Sequence, residues 1–326
     1  MPVMKSSDKT MRSDFYYESQ CGGSLQGCRW TPEESPRAVV QIIHGIAEYV
    51  ERYDAFASYL SDLGYLVVAE DHMGHGKSIS EKVPKACFRG GWDGAVADTY
   101  RLLVDTRTEF PEVPYVLFGH SMGSFMARTI LAKYPDSGIA GAVICGTGWQ
   151  PDAILKAGQM ACKVVSKLKG ADYPSKLLHA MAFGSYNKRV EHPRTASDWL
   201  SRDQAIVDAY VADHLCGFVA SAGLMGAMME GIGYIQNGDH LDRMKKDLPV
   251  YFIAGGDDPV GPYGDGVIHT VDVFRKTGME QVDVKIYPLC RHEILNEINR
   301  KEVFEDVAQW MEKVLSKQKR YEILDI

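Results

Sequence analysis

The sequence predicts an α/β protein: a parallel sheet covered by helices on both faces and interrupted by a long helical insert. Three observations predict it. Short apolar runs of strand length alternate with amphipathic helical patterns, first from Ala38 to about Gly148 and again from Val250. Between Pro151 and about Asp247 no convincing strand appears, over a stretch well beyond ordinary loop length. The chain has 326 residues, 45% hydrophobic and 24% charged, which is enough to bury a substantial core.

The elements follow in order. "FYYESQ" and "CRWTP" flank a segment holding Gly22, Gly23 and Gly27, which predicts an antiparallel hairpin. "AVVQIIHG" from Ala38 is an apolar run of buried-strand length. From Glu51, Tyr53, Phe56, Ala57, Leu60 and Leu63 recur at helical steps until Gly64. "YLVVAED" is a second buried strand. A helix after Gly91 places Val96, Tyr100, Leu103 and Phe110 on one face and stops before Pro111 and Pro114. A strand at Tyr115–Gly119 leads into a helix from Ser124, and "GAVICG" gives the next strand. The insert carries Met160, Met181, Met225, Met228, Met229 and Met244. "LPVYFIAGG" and "VDVKIYPL" restore two buried strands, and Val303, Phe304, Val307, Trp310, Met311, Val314 and Leu315 mark one face of a final helix. The expected division is a core of residues 1–150 and 248–326 with a helical cap, or lid, of residues 151–247.

Composition narrows the function classes. A net charge of −7 is a poor match for nucleic acid, and the basic patch at Lys317, Lys319 and Arg320 reads as a solvated helix end. The seven cysteines are odd in number and lack Cys-x-x-Cys spacing, which points to a reducing compartment. "MPVMKSSDKTMRSDF" has no apolar core of a signal peptide. The longest uncharged stretch, from His214 to Met229, is too short to span a bilayer. A cytoplasmic protein is expected, with no stable membrane insertion, because no basic amphipathic helix supports firm attachment.

The chemistry centres on "YVLFGHSMGSFMARTIL", where Ser121 sits at the joint of a strand and a helix with Gly119 and Gly123 two positions away on either side. A sharp strand-to-helix turn leaves no room for side chains at those two places, and it lifts the apex hydroxyl above the sheet. The new helix aims its free N–H groups at whatever binds there. Serine is a weak nucleophile at neutral pH, so it needs a base, and the base needs an orienting carboxylate. Asp257 and Asp258 follow one later strand and His292 follows the next, in the required order. Asp258 is the expected orienter; Asp257 reads as a turn or capping residue. His120, beside the serine, is expected to bond locally rather than act as base. A developing oxyanion needs two backbone donors, expected at Met122 and, in the loop "QIIHGIAEY", at Ile46. Asp71, His72 and His75 in "EDHMGHGKS" look like metal ligands, but no further carboxylate–histidine cluster accompanies them. A structural turn is expected there, with no metal and no cofactor.

Five blocks, "HGIAEYVERYDAFASYL", "DHMGHGKS", "GHSMGS", "GGDDPVG" and "RHEILNE", resemble in order those of the α/β-hydrolase superfamily, in its monoacylglycerol lipase and lysophospholipase-like branch. The resemblance implies a mostly parallel eight-stranded sheet with an inserted cap, Ser121 as nucleophile, Asp258 as acid, His292 as base, and Ile46 and Met122 as oxyanion donors. Tyr49 stands where the family often has histidine, and Met73 where it often has arginine. The implied activity is hydrolysis of carboxylic esters through an acyl-enzyme, of monoacylglycerol or lysophospholipid type. The alternatives are a short-chain carboxylesterase, thioesterase or peptidase with the same triad, or a binding protein on this scaffold. Met225, Met228 and Met229 in "GLMGAMMEGIGYI" are expected to hold an acyl chain from the cap's inner face, or else to pack cap helices together.

Overall fold

A computed structural model describes residues 11–324. The N-terminal stretch through Thr10, and the side chains of Lys319 and Arg320, lie outside the described residues. Eight strands form one sheet in the order β1-β2-β4-β3-β5-β6-β7-β8. They are β1 Met11–Glu18, β2 Ser24–Thr31, β3 Val39–Ile43, β4 Leu66–Glu70, β5 Tyr115–His120, β6 Ile139–Cys145, β7 Val250–Gly255 and β8 Val282–Tyr287. β1 and β2 pair antiparallel, β2 meets β4 antiparallel, and every later pairing is parallel. The helices are α1 Asp54–Asp62, α2 Gly91–Glu109, α3 Met122–Lys133, α4 Asp152–Lys169, α5 Lys176–Phe183, α6 Gln204–Ala212, α7 Ala222–Gln236, α8 Gly238–Leu241, α9 Asp265–Lys276 and α10 Arg300–Leu324.

The period of two along each strand builds two cores. On β5, Val116 and Phe118 face α1 and α10, while Tyr115 and Leu117 face α2, α3 and α9. Both faces are therefore covered, as parallel strands require. The same alternation gives β3, β4, β6 and β7 no exposed residue.

Four details differ from expectation. Gly27 lies within β2 rather than in the hairpin turn, because a Cβ there would overlap the Phe15 ring on β1. β8 is the sheet edge, so Asp283 is exposed and the strand is only partly buried. Leu63 caps α1 and is exposed, because the helical face that meets the sheet ends at Ser61. And α4 is basic and amphipathic after all. It exposes Ile154, Met160, Val164 and Leu168 beside Lys156, Lys163, Lys167 and Lys169. No helix among the described residues is long and apolar enough to cross a membrane.

Between β6 and β7 the chain is helical, apart from one isolated bridge between Pro174 and Ser221. Its main helix, α7, does not stand apart from the sheet domain. Leu224, Met225, Ala227, Met228, Ile232 and Ile235 join the core shared by α2 and α3. Gly231 lies so close to Trp92 on α2 that a Cβ would overlap the indole.

Candidate active site

Ser121 has φ 54° and ψ −120°, between the end of β5 and the start of α3. A non-glycine residue with positive φ is strained and persists only where its surroundings hold it. Here its N–H donates to Cys145 O on β6 at 3.0 Å, and its carbonyl accepts from Ser124 N at 2.9 Å. A Cβ on Gly119 would overlap the Gly123 carbonyl, and one on Gly123 would overlap the Ile43 carbonyl at the end of β3. The two glycines thus let the turn close on itself and on the neighbouring strand.

The predicted acid and base meet. Nδ1 of His292 lies 3.0 Å from both Oδ1 and Oδ2 of Asp258. Asp258 is fully buried and Asp257 is exposed, which separates the two candidates. Oδ1 of Asp258 also accepts Val260 N at 2.8 Å. The loops after β7 and β8 touch at Gly255, where a Cβ would overlap the carbonyls of Cys290 and Arg291. The His292 ring has His120 at 4.8 Å on one side and Trp199 at 5.1 Å on another, between ring centroids. Ser121 and His292 line one cavity. Among the described residues no hydrogen bond joins the Ser121 hydroxyl to the imidazole, so only the His292–Asp258 half of the predicted chain is closed. Such links commonly tighten only when substrate arrives.

Ile46 and Met122, the expected backbone donors, line the same cavity. The Ile46 loop is fixed from beneath, where Gly45 N donates to Glu48 Oε1 at 2.7 Å. It is fixed from the insert by Gly217 N and Tyr210 OH, which both donate to Ala47 O. The cavity is about 640 Å³. Met225, Met228 and Met229 on α7 form part of its wall with Phe183 and Leu178 on α5. Met225 and Met228 are also buried in the core, so they pack helices and line the cavity at once.

Residues 34–299 match a family model described as serine aminopeptidase, S33. The chain belongs to that family of α/β-hydrolases. It is a lipase- or esterase-like serine hydrolase by kinship. A monoacylglycerol lipase of Mycolicibacterium smegmatis is 28% identical over 86% of this chain and 90% of its own. A monoglyceride lipase of Mus musculus is 30% identical over 69% of this chain and 68% of its own. The crystal structure of a thermostable carboxyl esterase from Bacillus coagulans, in complex with glycerol, superimposes with a TM-score of 0.87 at 28% identity, covering 93% of this chain and 99% of that one.

Beneath the S33 site lies a buried polar network that sequence reasoning missed. Glu48 accepts from Gly45 N, from Tyr53 OH at 2.8 Å, from Arg52 at 2.9 Å and from His120 Nδ1 at 3.1 Å. Arg52 also pairs with Glu293, the neighbour of His292. Burial pushes the Glu48 carboxyl up, but His120 and Arg52 outweigh it and hold it well below the usual carboxylate range. Burial pulls His120 down, and Glu48 more than offsets that, so its pKa is raised. His120 is thus bonded locally, as expected. The one available signal was the i,i+4 spacing of Glu48 and Arg52, which reads equally as a solvated helix face.

The "EDHMGHGKS" segment forms a turn. Asp71 accepts Val50 N and Lys77 N at 2.8 and 2.7 Å, and His72 N donates to His44 Nε2 at 3.0 Å. Of the two unusual positions, Tyr49 donates to Asp213 in the insert at 2.9 Å, and Met73 is buried with its sulfur accepting Arg89 N.

Proposed function

We propose that the protein cleaves carboxylic esters of monoacylglycerol or lysophospholipid type through an acyl-enzyme on Ser121. The observation that carries this reading is the cavity of about 640 Å³, walled by methionines and aromatic rings, that holds Ser121 and His292 together. His292 takes the Ser121 proton as the hydroxyl attacks the ester carbonyl. Asp258 fixes the imidazole and stabilises its charged form. The oxyanion is held by the N–H groups of Ile46 and Met122. The protonated base then gives its proton to the leaving alcohol. Water, deprotonated by the same histidine, releases the acid and frees the serine. Residues 151–247 act as the cap over the core of residues 1–150 and 248–326, and Met225, Met228 and Met229 face the acyl chain. The names of the lipase relatives and the cavity's apolar wall support this choice over a small polar substrate.

The test is kcat/KM across p-nitrophenyl esters of two to sixteen carbons, extended to monoacylglycerols, lysophospholipids and thioesters, with a fluorophosphonate probe alongside. Turnover rising with chain length, and labelling abolished by Ser121→Ala, are expected. A sharp optimum at acetate overturns the substrate class, and labelling that survives the substitution overturns the nucleophile.

A further inference from the structure

The catalytic-base loop is held in place by the insert as much as by the sheet domain that carries it. Residues 198–202, between α5 and α6, run beside residues 290–299. His292 N donates to Trp199 O at 3.3 Å and Glu293 N to Leu200 O at 2.8 Å. Arg291 Nη1 donates to Asp198 O at 2.6 Å and Ser201 O at 3.0 Å, and Ser201 Oγ donates to Asn296 O at 2.9 Å. The backbone on both sides of the imidazole is therefore tied to one short strap.

One buried carboxylate anchors the strap. Glu297 is fully buried. Its Oε1 accepts Arg202 N at 3.1 Å and Arg291 N at 2.9 Å; its Oε2 accepts Arg202 Nε at 2.8 Å and Ile298 N at 3.2 Å. The Arg202 guanidinium reaches on to Asn299 Oδ1 at 2.8 Å. A buried carboxylate with four donors, one of them on a planar cation, is held in one geometry, and losing the cation leaves an uncompensated charge. Trp199, on the same strap, packs its ring near His292, and its backbone N–H donates to Asn187 Oδ1 at 2.8 Å.

We infer that Arg202 and Glu297 are positioning residues for the base, acting through the strap 198–202, so that the insert completes the catalytic centre as well as covering it. This rests on the reading of His292 as base. Misplacement of a reacting group by about an ångström costs up to about a hundredfold in rate.

Arg202→Ala is compared with the unaltered enzyme on p-nitrophenyl acetate, a substrate too short to need the apolar cavity. The expected result is a kcat lower by about tenfold or more with KM little changed. Millimolar guanidinium restores part of the rate. Native folding is checked by near-ultraviolet circular dichroism. If Arg202→Ala does not fold, Glu297→Gln is carried through the kinetic readouts, without guanidinium. Full kcat in a folded variant, or a loss carried by KM with kcat unchanged, overturns the inference. His292→Ala separates the two levels: if it retains turnover, the base assignment fails, whereas a dead His292→Ala beside a normal Arg202→Ala sinks only the strap.

Discussion

The imidazole of His292 is bounded by Asp258, His120 and Trp199, which come from three distant parts of the chain. Of these, only Asp258 accepts from its Nδ1, and it uses both oxygens. Asp258→Asn keeps the shape of the side chain but presents an amide to the ring, which favours the wrong tautomer. We expect kcat to fall by about ten-thousandfold while circular dichroism and KM stay close to those of the unaltered protein. A loss of less than about tenfold would mean that the orienting group lies elsewhere. The residues of this chain of bonds were legible because each stands just past a strand, in the order serine, acid, histidine. Glu48 and Glu293 were not. Their shared partner, Arg52, lies 241 positions from Glu293, and nothing in local periodicity marks either acid as buried.

At the scale of elements, the loops after β3 and β4 brace each other through His44, His72 and His75, whose ring centroids lie 3.9 to 6.1 Å apart in tilted and edge-on pairs. Burial, with the charge of His72, pulls His75 down to about 3 from an ordinary value of 6.5. Its folded-state pKa lies below the unfolded one. Its contribution to stability is therefore complete above pH 6.5 and is lost as the pH falls toward 3. Asp71 in the same loop, pushed up to about 6 by burial, works the other way by taking a proton in the folded state. Because Asp71 is common to both proteins, the comparison is between the unaltered chain and His75→Gln. From about pH 6.5 to about pH 5 the unaltered chain should lose roughly 2 kcal/mol more than the variant in urea unfolding. Equal losses would show that His75 is not held neutral. The motif "EDHMGHGKS" was read as a turn from sequence. That its histidines pack against His44 followed only from the sheet order, which sets β3 beside β4.

For the whole molecule, the long insert shares its core with the sheet domain through α7, α2 and α3. Gly231→Leu would drive a side chain into the Trp92 indole, whose Nε1 donates to Thr129 on α3 at 3.1 Å. Overpacking of this kind costs about 1–3 kcal/mol. Calorimetry should show one transition at a lower Tm; a separate early transition would mean that the insert melts alone. Sequence by itself determined the class of fold, the strands and helices that alternate along it, and the placing of Ser121, Asp258 and His292 just past three of the strands. It could do so because side-chain period and turn chemistry are local properties, written within a few residues. The tertiary structure alone decided which acids are buried, that α7 belongs to the main core, and that residues 198–202 grip the His292 loop. Those outcomes depend on which distant segments come within hydrogen-bonding range, and chain position carries no record of that distance.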